Sequence, residues 1–114
     1  MANIVPPRAQ LRAQQRIARR LGAAGFALPG TITHRMMRCG TRGCRCKGDP
    51  PQLHGPYIQW TRTVDGKTVT KLLSQDQFNR YESWFDNCRQ LRELLAQLEA
   101  VSIEAITRAE GWGS

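Results

Sequence analysis

Apolar residues in the last third of the chain recur at the spacing of an α-helix. Steps of three and four residues connect Phe78, Tyr81, Phe85, Cys88, Leu91, Leu95, Leu98, Ser102 and Ala105, of which Ser102 is the weak member, and Trp84, Leu94, Val101 and Ile106 widen the stripe. This period is typical of an amphipathic helix, and Ser74 followed by Gln77 has the form of a capping box. We predict a helix from about residue 75 to about residue 108. Because such a helix exceeds what a small domain buries, its second half is expected to self-associate.

A shorter helix is predicted directly after Pro6 and Pro7, because proline is favoured in the first helical turn, and it would stop at Gly22 or Gly25. Its apolar residues fall mostly on one face and are Leu11, Ile17, Ala18 and Leu21. Its basic residues are Arg8, Arg12, Arg16, Arg19 and Arg20. These arginines could form a solvated face or a stripe that contacts phosphates. The absence of any acid along this helix favours the stripe.

Three β-rich runs lie between the two helices. Residues 31–37, TITHRMM, follow the Pro29–Gly30 turn and predict a short strand. Residues 57–64 and 68–73 flank Asp65–Gly66. Because Asp-Gly suits the positive φ angles of a two-residue turn, these runs predict a hairpin. One face of the hairpin would carry Ile58 and Trp60, and the other Tyr57, Gln59 and Thr61.

The predicted fold class is α+β, with an N-terminal helix, a Cys/His knuckle, an antiparallel hairpin with a short third strand, and a long C-terminal helix. We expect one domain with three segments. These are a basic helical segment at 1–27, the knuckle and hairpin at 28–75, and the long amphipathic helix at 76–110.

Positive charge is concentrated in the first part of the chain. The formal net charge is +8. Residues 1–50 contain ten Arg or Lys and a single acid, Asp49, whereas residues 76–114 carry four Arg against seven acids. This distribution indicates an anionic partner for the basic part and a separate role for the acidic part.

The basic part also holds a group of potential metal ligands. Residues 38–54 read RCGTRGCRCKGDPPQLH. The ligand candidates are Cys39, Cys44, Cys46 and His54. Three thiolates and one imidazole are a known structural zinc set. Neighbouring cations would lower the pKa of the thiols, and they are Arg35, Arg38, Arg42, Arg45 and Lys47.

Other interpretations of the cysteines stay open. His34 could replace His54 as the fourth ligand, and His54 could instead be a turn residue bonded to backbone. The thiols could be free or redox-active, or they could form a structural disulfide. An iron–sulfur cluster would need a distant fourth cysteine, and Cys88 is the one available. The cysteine spacing differs from that of plant-type ferredoxins, and Cys88 is better explained as a buried core thiol.

Several classes of protein are disfavoured. No stretch has the roughly 18 apolar residues of a membrane span, and MANIVPPRAQ lacks the apolar region of a secretory signal. We expect a cytoplasmic protein. No G-x-S-x-G, P-loop or H-E-x-x-H motif occurs, so we expect no catalytic activity.

The core RCGTRGCRCKG…LHGPYIQW followed by DGKTVTKLL resembles a family of small, functionally uncharacterised bacterial proteins. That family shares an R-C-G…C-x-C…H-G-P-Y core, a hairpin and a long C-terminal helix, and its members are often encoded near mobile elements. The resemblance spans roughly residues 28–100. The matching residues are Cys39, Gly40, Cys44, Cys46, His54, Gly55, Pro56 and Tyr57. The chain departs from the family by its longer loop at residues 49–52.

We predict a zinc-stabilised protein that binds nucleic acid, DNA ahead of RNA, and dimerises through residues 85–106. The expected phosphate contacts are Arg8, Arg12, Arg16, Arg19, Arg20, Arg38, Arg42, Arg45 and Lys47. The hairpin residues Arg62, Lys67 and Lys71 are expected to enter a groove. The alternative is a protein–protein adaptor that acts through the long helix and has no nucleic-acid role.

Overall fold

The computed structural model describes residues 6–113, so residues 1–5 of the predicted N-terminal segment and Ser114 lie outside it. In chain order the elements are α1 (Arg8–Gly22), β1 (Thr31–Met37), a single 3-10 turn (Arg45–Lys47), β2 (His54–Val64), β3 (Lys67–Leu73) and α2 (Gln75–Ala109). The predicted α+β fold class is confirmed. Among the described helices, none is long and apolar enough to cross a membrane.

The three strands form one antiparallel sheet in the order β1-β2-β3. The predicted hairpin is confirmed, since Asp65 and Gly66 connect β2 to β3 with φ angles of 51° and 78°. β2 begins at His54, three residues before the start that the sequence predicts. Of its additional residues, His54 pairs with Met37 of β1, across an irregularity in the register between Arg35 and Met37.

One side of the sheet packs on the first part of α2. Ile58 is buried, with an exposed fraction of 3%. The rings of His34 and Phe78 are 5.5 Å apart, and so are those of Trp60 and Phe85, each pair in an edge-to-face arrangement. We call this the helix-facing side. The predicted grouping of Ile58 with Trp60 is therefore the packed face of the hairpin.

The described residues divide into two compact units, one of residues 6–27 and 86–113 and the other of residues 28–85. In the first unit Ile17 and Leu94 are buried, together with the polar side chain of Gln10. The amide nitrogen of Asn87 donates to the carbonyl oxygen of Phe26 at 2.9 Å. In the second unit the sheet and the start of α2 share the aromatic packing described above, and this unit carries the cysteine loop.

The buried face of α2 differs from the predicted stripe at several positions, since Tyr81, Ser102 and Ile106 are exposed. Leu94 is buried, whereas Leu95 is 52% exposed. An α-helix has about 3.6 residues per turn, so residues spaced alternately by three and four shift gradually around the helix axis. Some residues of the predicted stripe therefore lie away from the buried face. Cys88 is half-buried and not fully buried as expected for a core thiol.

Candidate metal centre

The pairing of β1 with β2 brings the two ends of the cysteine loop together. Because Met37, the last residue of β1, pairs with His54, the chain reaches Cys39 two residues later, close to the start of β2. Between them the 3-10 turn Arg45–Lys47 follows directly on Cys44 and contains Cys46. The turn is held by hydrogen bonds from the backbone N–H groups of Lys47 and Gln52 to the carbonyl oxygens of Cys44 and Arg45, at 2.9 and 3.1 Å.

The backbone next to His54 has room only for glycine. Gly55 has a φ angle of +121°, and a Cβ atom there would lie 2.7 Å from the carbonyl oxygen of Arg35. A side chain would therefore be both conformationally strained and in steric conflict with β1. This close approach of the two strands fixes the position of His54 relative to the end of β1.

The four predicted ligands converge. The ligand atoms of Cys39, Cys44, Cys46 and His54 all lie within 4.8 Å of one another. The Sγ atoms of Cys39 and Cys46 are 3.7 Å apart. Two thiolates on one tetrahedral zinc ion, with bonds of about 2.3 Å, are separated by roughly 3.8 Å, whereas a disulfide requires about 2.05 Å. The four side chains could therefore hold one metal ion, and all three cysteines are free.

The environment of Cys39 and Cys44 favours thiolates. A hydrogen bond from the backbone N–H of Thr41 is the largest of the effects that lower the pKa of Cys39, to about 6. The backbone N–H of Cys46, followed by the ring of His54, lowers the pKa of Cys44. The Sγ atom of Cys44 lies 3.1 Å from Nε2 of His54. Since the thiolate is the form that binds metals, both residues are prepared for coordination.

The other two members hold their protons more firmly. The backbone N–H of Cys39 favours the thiolate of Cys46, but burial and the neighbouring thiols outweigh it and raise the pKa of Cys46. The thiols of Cys44 and Cys39 raise the pKa of His54. A bound cation would displace these protons, because coordination needs thiolate and neutral imidazole.

The alternative ligands lie outside this group. His34 is in the middle of β1, opposite Ile58, and its ring packs on Phe78. Cys88 lies on α2 and is not a member of the group. An iron–sulfur cluster with Cys88 as its fourth ligand therefore does not match this group, because Cys88 is not among the four side chains that converge.

The cations predicted to contact phosphate are all exposed. On α1 they are Arg8, Arg12, Arg16, Arg19 and Arg20, in the loop Arg38, Arg42, Arg45 and Lys47, and on the hairpin Arg62, Lys67 and Lys71. Within residues 6–113 both ion pairs are internal to α2, Arg89 with Asp86 and Arg108 with Glu104. None of the twelve predicted cations is thus neutralised by an acid in the described part of the chain.

Sequence reasoning missed the role of Thr41. Its backbone N–H is the main stabiliser of the Cys39 thiolate, and its carbonyl oxygen accepts a hydrogen bond from Nζ of Lys47 at 2.9 Å. Lys47 was predicted to contact phosphate, and this bond already orders its side chain. The sequence does not show which backbone N–H group donates to a thiolate. Only the position of Thr41, two residues after Cys39, could have suggested this contact.

The fold and the converged ligands together define a small α+β protein with a Cys3His group at the end of a three-stranded sheet. The chain belongs to the family described as domain of unknown function (DUF6788), whose model matches residues 8–82. The match includes α1 and ends within α2, whereas the resemblance had been placed at roughly residues 28–100. No curated protein and no solved structure matches the chain.

Proposed function

We propose that the chain is a zinc-stabilised nucleic-acid-binding protein that acts by binding and not by catalysis. The observation that carries the proposal is the set of twelve exposed cations without acidic partners among residues 6–113. Arginines and lysines without acidic partners in such number are suited to neutralise phosphates. The zinc assignment is supported by the Cys3His donor set and by the 3.7 Å separation of two of its sulfur atoms.

In the unit of residues 28–85, nine basic residues stand against four acidic ones. Zinc would hold the loop that carries Arg38, Arg42 and Arg45 in one conformation, so that ordering these side chains on a phosphate backbone costs less conformational entropy. This unit therefore combines a fixed loop with a positive charge, as a phosphate-binding surface requires.

In the other unit, the cations of α1 lie opposite its buried residues. Ile17 and Gln10 face inwards, whereas Arg8, Arg12 and Arg16 are one turn apart on the exposed side. Like charges at this spacing repel one another, so the arrangement costs stability unless an anion lies across it. A phosphate backbone is such an anion.

DNA ranks ahead of RNA in the proposal. A two-stranded ribbon fits the major groove of DNA, whereas the deep and narrow groove of an RNA helix excludes side chains. The register places Arg62, Lys67 and Lys71 on the same side of the hairpin, since Trp60 pairs with Lys71 and Val64 with Lys67. The resemblance of the Cys/His core to bacterial proteins encoded near mobile elements also agrees with a DNA partner.

The test is the affinity of the metal-loaded chain for a blunt DNA duplex at two salt concentrations. With six or more phosphate contacts, affinity should fall by about 10³-fold or more between 50 and 200 mM salt. Reversing two charges in Arg12→Glu/Arg16→Glu should weaken binding at low salt. The matched control is Arg89→Glu/Arg92→Glu on α2, which changes the net charge equally. Affinity that does not respond to salt, or equal losses in both variants, would contradict the proposal.

A second candidate function is supported by exposed apolar side chains in the second half of α2. Leu95, Ile103 and Ile106 are 52%, 65% and 44% exposed, and their spacing puts them within about a quarter turn of the helix surface. We propose that this strip, Leu95, Ile103 and Ile106, joins two copies of the chain. The alternative is an adaptor that docks a different protein on the same strip and has no nucleic-acid role. Its capture of that protein would be largely unaffected by Arg12→Glu/Arg16→Glu.

A further inference from the structure

An open pocket of about 340 Å³ lies between the helix-facing side of the sheet and the start of α2, within the unit of residues 28–85. The residues that matter for its chemistry are Trp60, Lys71, Gln77, Tyr81, Trp84 and Phe85. Of its lining residues, Phe85 is buried, whereas Tyr81 is 36% exposed. The pocket is thus an aromatic recess open to solvent and not a closed gap in the core.

The rings around this aromatic pocket meet edge to face. The centroids of Tyr81 and Trp84 are 5.1 Å apart with an interplanar angle of 67°, and those of Trp60 and Phe85 are 5.5 Å apart at 76°. Rings in this arrangement are not stacked face to face. Tyr81 lines the pocket and is partly exposed, so part of its ring borders solvent there. A planar aromatic ligand could stack there.

The charges next to these rings are positive. Of the described residues that line the pocket, Lys71 is the charged one, and its strand position is directly opposite Trp60. The guanidinium of Arg62 lies 5.3 Å from the centre of the Trp60 ring, and that of Arg80 lies 5.8 Å from the centre of the Tyr81 ring. The recess therefore suits a planar ring that is attached to an anion.

The same side of the hairpin continues this positive charge. Lys71, Arg62 and Lys67 follow one another from the pocket towards the turn, because they occupy successive positions of one face in the register. A chain of phosphates that leaves the pocket along the hairpin would thus meet one cation at each step. A single planar anion would contact only Lys71, whereas a polynucleotide could contact all three cations. The arrangement therefore favours a polynucleotide as the ligand.

We propose that the aromatic pocket holds one unpaired nucleobase of a bound polynucleotide, stacked on Tyr81, with its backbone along Lys71 and Arg62. The side chain of Gln77 reaches a base edge from the pocket wall, since its Oε1 is engaged by the backbone N–H of Ser74 at 2.9 Å and its NH₂ group is left as the donor. The proposal rests on the proposed function and adds to it a preference for nucleic acid with a single-stranded part.

The experiment compares the metal-loaded chain on three probes by fluorescence anisotropy. The probes are a blunt DNA duplex, the same duplex with an oligo-dT overhang, and the same duplex with an oligo-rU overhang. Stacking of a base on an aromatic side chain should tighten binding to an overhang by about 5- to 150-fold over the blunt duplex. A gain with dT alone, or with rU alone, shows whether the pocket accepts a DNA or an RNA overhang.

The decisive variant is Tyr81→Ala, which should abolish the gain from the overhang and leave affinity for the blunt duplex unchanged. Tyr57→Ala is the matched control, since Tyr57 is 37% exposed and lies on the opposite side of the sheet. Tyr81→Phe should keep the gain, because it retains the ring. If Tyr81→Ala misfolds and also loses blunt-duplex binding, the exposed residue Lys71 is tested instead. Lys71→Gln should reduce the gain from the overhang, whereas its control Arg35→Gln should not.

The outcomes separate the two proposals. If the wild-type chain binds blunt duplex but gains nothing from either overhang, the nucleobase pocket is overturned while the proposed function stands. A gain that survives Tyr81→Ala, or that Tyr57→Ala reduces equally, also overturns the pocket. If no probe binds in a salt-dependent manner, the proposed function fails and the pocket fails with it.

Discussion

At the residue scale, the Cys3His group depends on where each proton is held. Backbone N–H groups lower the pKa of Cys39 and of Cys44, while burial and the neighbouring thiols raise the pKa of Cys46, and the neighbouring thiols raise that of His54. Cys46 is fully buried and also accepts a hydrogen bond from the backbone N–H of Cys39 at 3.4 Å. Replacement of Cys46 would therefore leave a buried metal site that lacks one of its donor atoms.

Substitution of single cysteines should therefore separate ligands from other thiols. We expect one zinc ion per chain in the wild type and in Cys88→Ser, and a content well below one in Cys46→Ser, measured by elemental analysis after dialysis. Because a structural zinc site contributes directly to folding, chelation should lower the melting temperature of the first two proteins and leave that of Cys46→Ser unchanged. Iron in the purified wild type would support a cluster instead, and a metal-free wild type would contradict both assignments.

At the element scale, α2 has a defined motif at each end. At its start the N–H of Gln77 donates to Oγ of Ser74 at 3.1 Å, and the N–H of Ser74 donates to Oε1 of Gln77 at 2.9 Å, which confirms the predicted capping box. At its end Gly111, with a φ angle of +67°, closes the helix. The N–H of Trp112 there donates to the carbonyl oxygen of Thr107 at 2.9 Å. This is the pattern of a Schellman motif.

The capping box predicts the effect of a single hydroxyl. Ser74→Ala should lower the free energy of unfolding by about 1 kcal/mol, because it leaves an N–H group of the first turn without its acceptor. The control is Ser83→Ala at an exposed position inside the same helix, where alanine is the better helix former and the change should be neutral or slightly stabilising. Urea denaturation followed by circular dichroism measures both. Equal losses in the two variants would exclude a capping role for Ser74.

At the scale of the whole molecule, each of the two units carries both charged and apolar surface. The unit of residues 28–85 carries the Cys3His group, the hairpin cations and the aromatic pocket. The unit that contains α1 carries the arginine row and, in the second half of α2, the apolar strip of Leu95, Ile103 and Ile106. Apolar side chains exposed in a row along one helix face indicate a site for another helix.

We expect the chain of 12.9 kDa to sediment with about twice that mass at micromolar concentration. Leu95→Gln/Ile103→Gln should shift it to the monomer, since the partner helix loses apolar surface to bury. Leu72→Gln changes a side chain that is 54% exposed on the sheet, and it should leave the mass unchanged. A wild-type chain that is monomeric at every concentration examined by analytical ultracentrifugation would contradict dimerisation.

Local chemistry made much of the fold predictable. The Asp65–Gly66 turn, the Ser74–Gln77 capping box and the proline-led start of α1 each depend on side chains a few residues apart, so the sequence displays them completely. The three cysteine ligands were also legible, because Cys39, Cys44 and Cys46 are closely spaced in the sequence, whereas the fourth ligand could have been His54 or His34. The extra residues of β2 were not predicted, since they are extended only because β1 lies beside them.

The sequence by itself determined which elements form and which side chains can bind a metal, because helix period, turn chemistry and ligand type are local properties. Tertiary structure alone decided between His54 and His34, since strand pairing places His54 at the end of β1 and turns His34 onto Phe78. It also decided that Leu94 and not Leu95 is buried, and it assembled the aromatic pocket from Trp60 and Tyr81, which are distant in sequence. Contacts between distant residues depend on the packing of whole elements, and no local pattern records them.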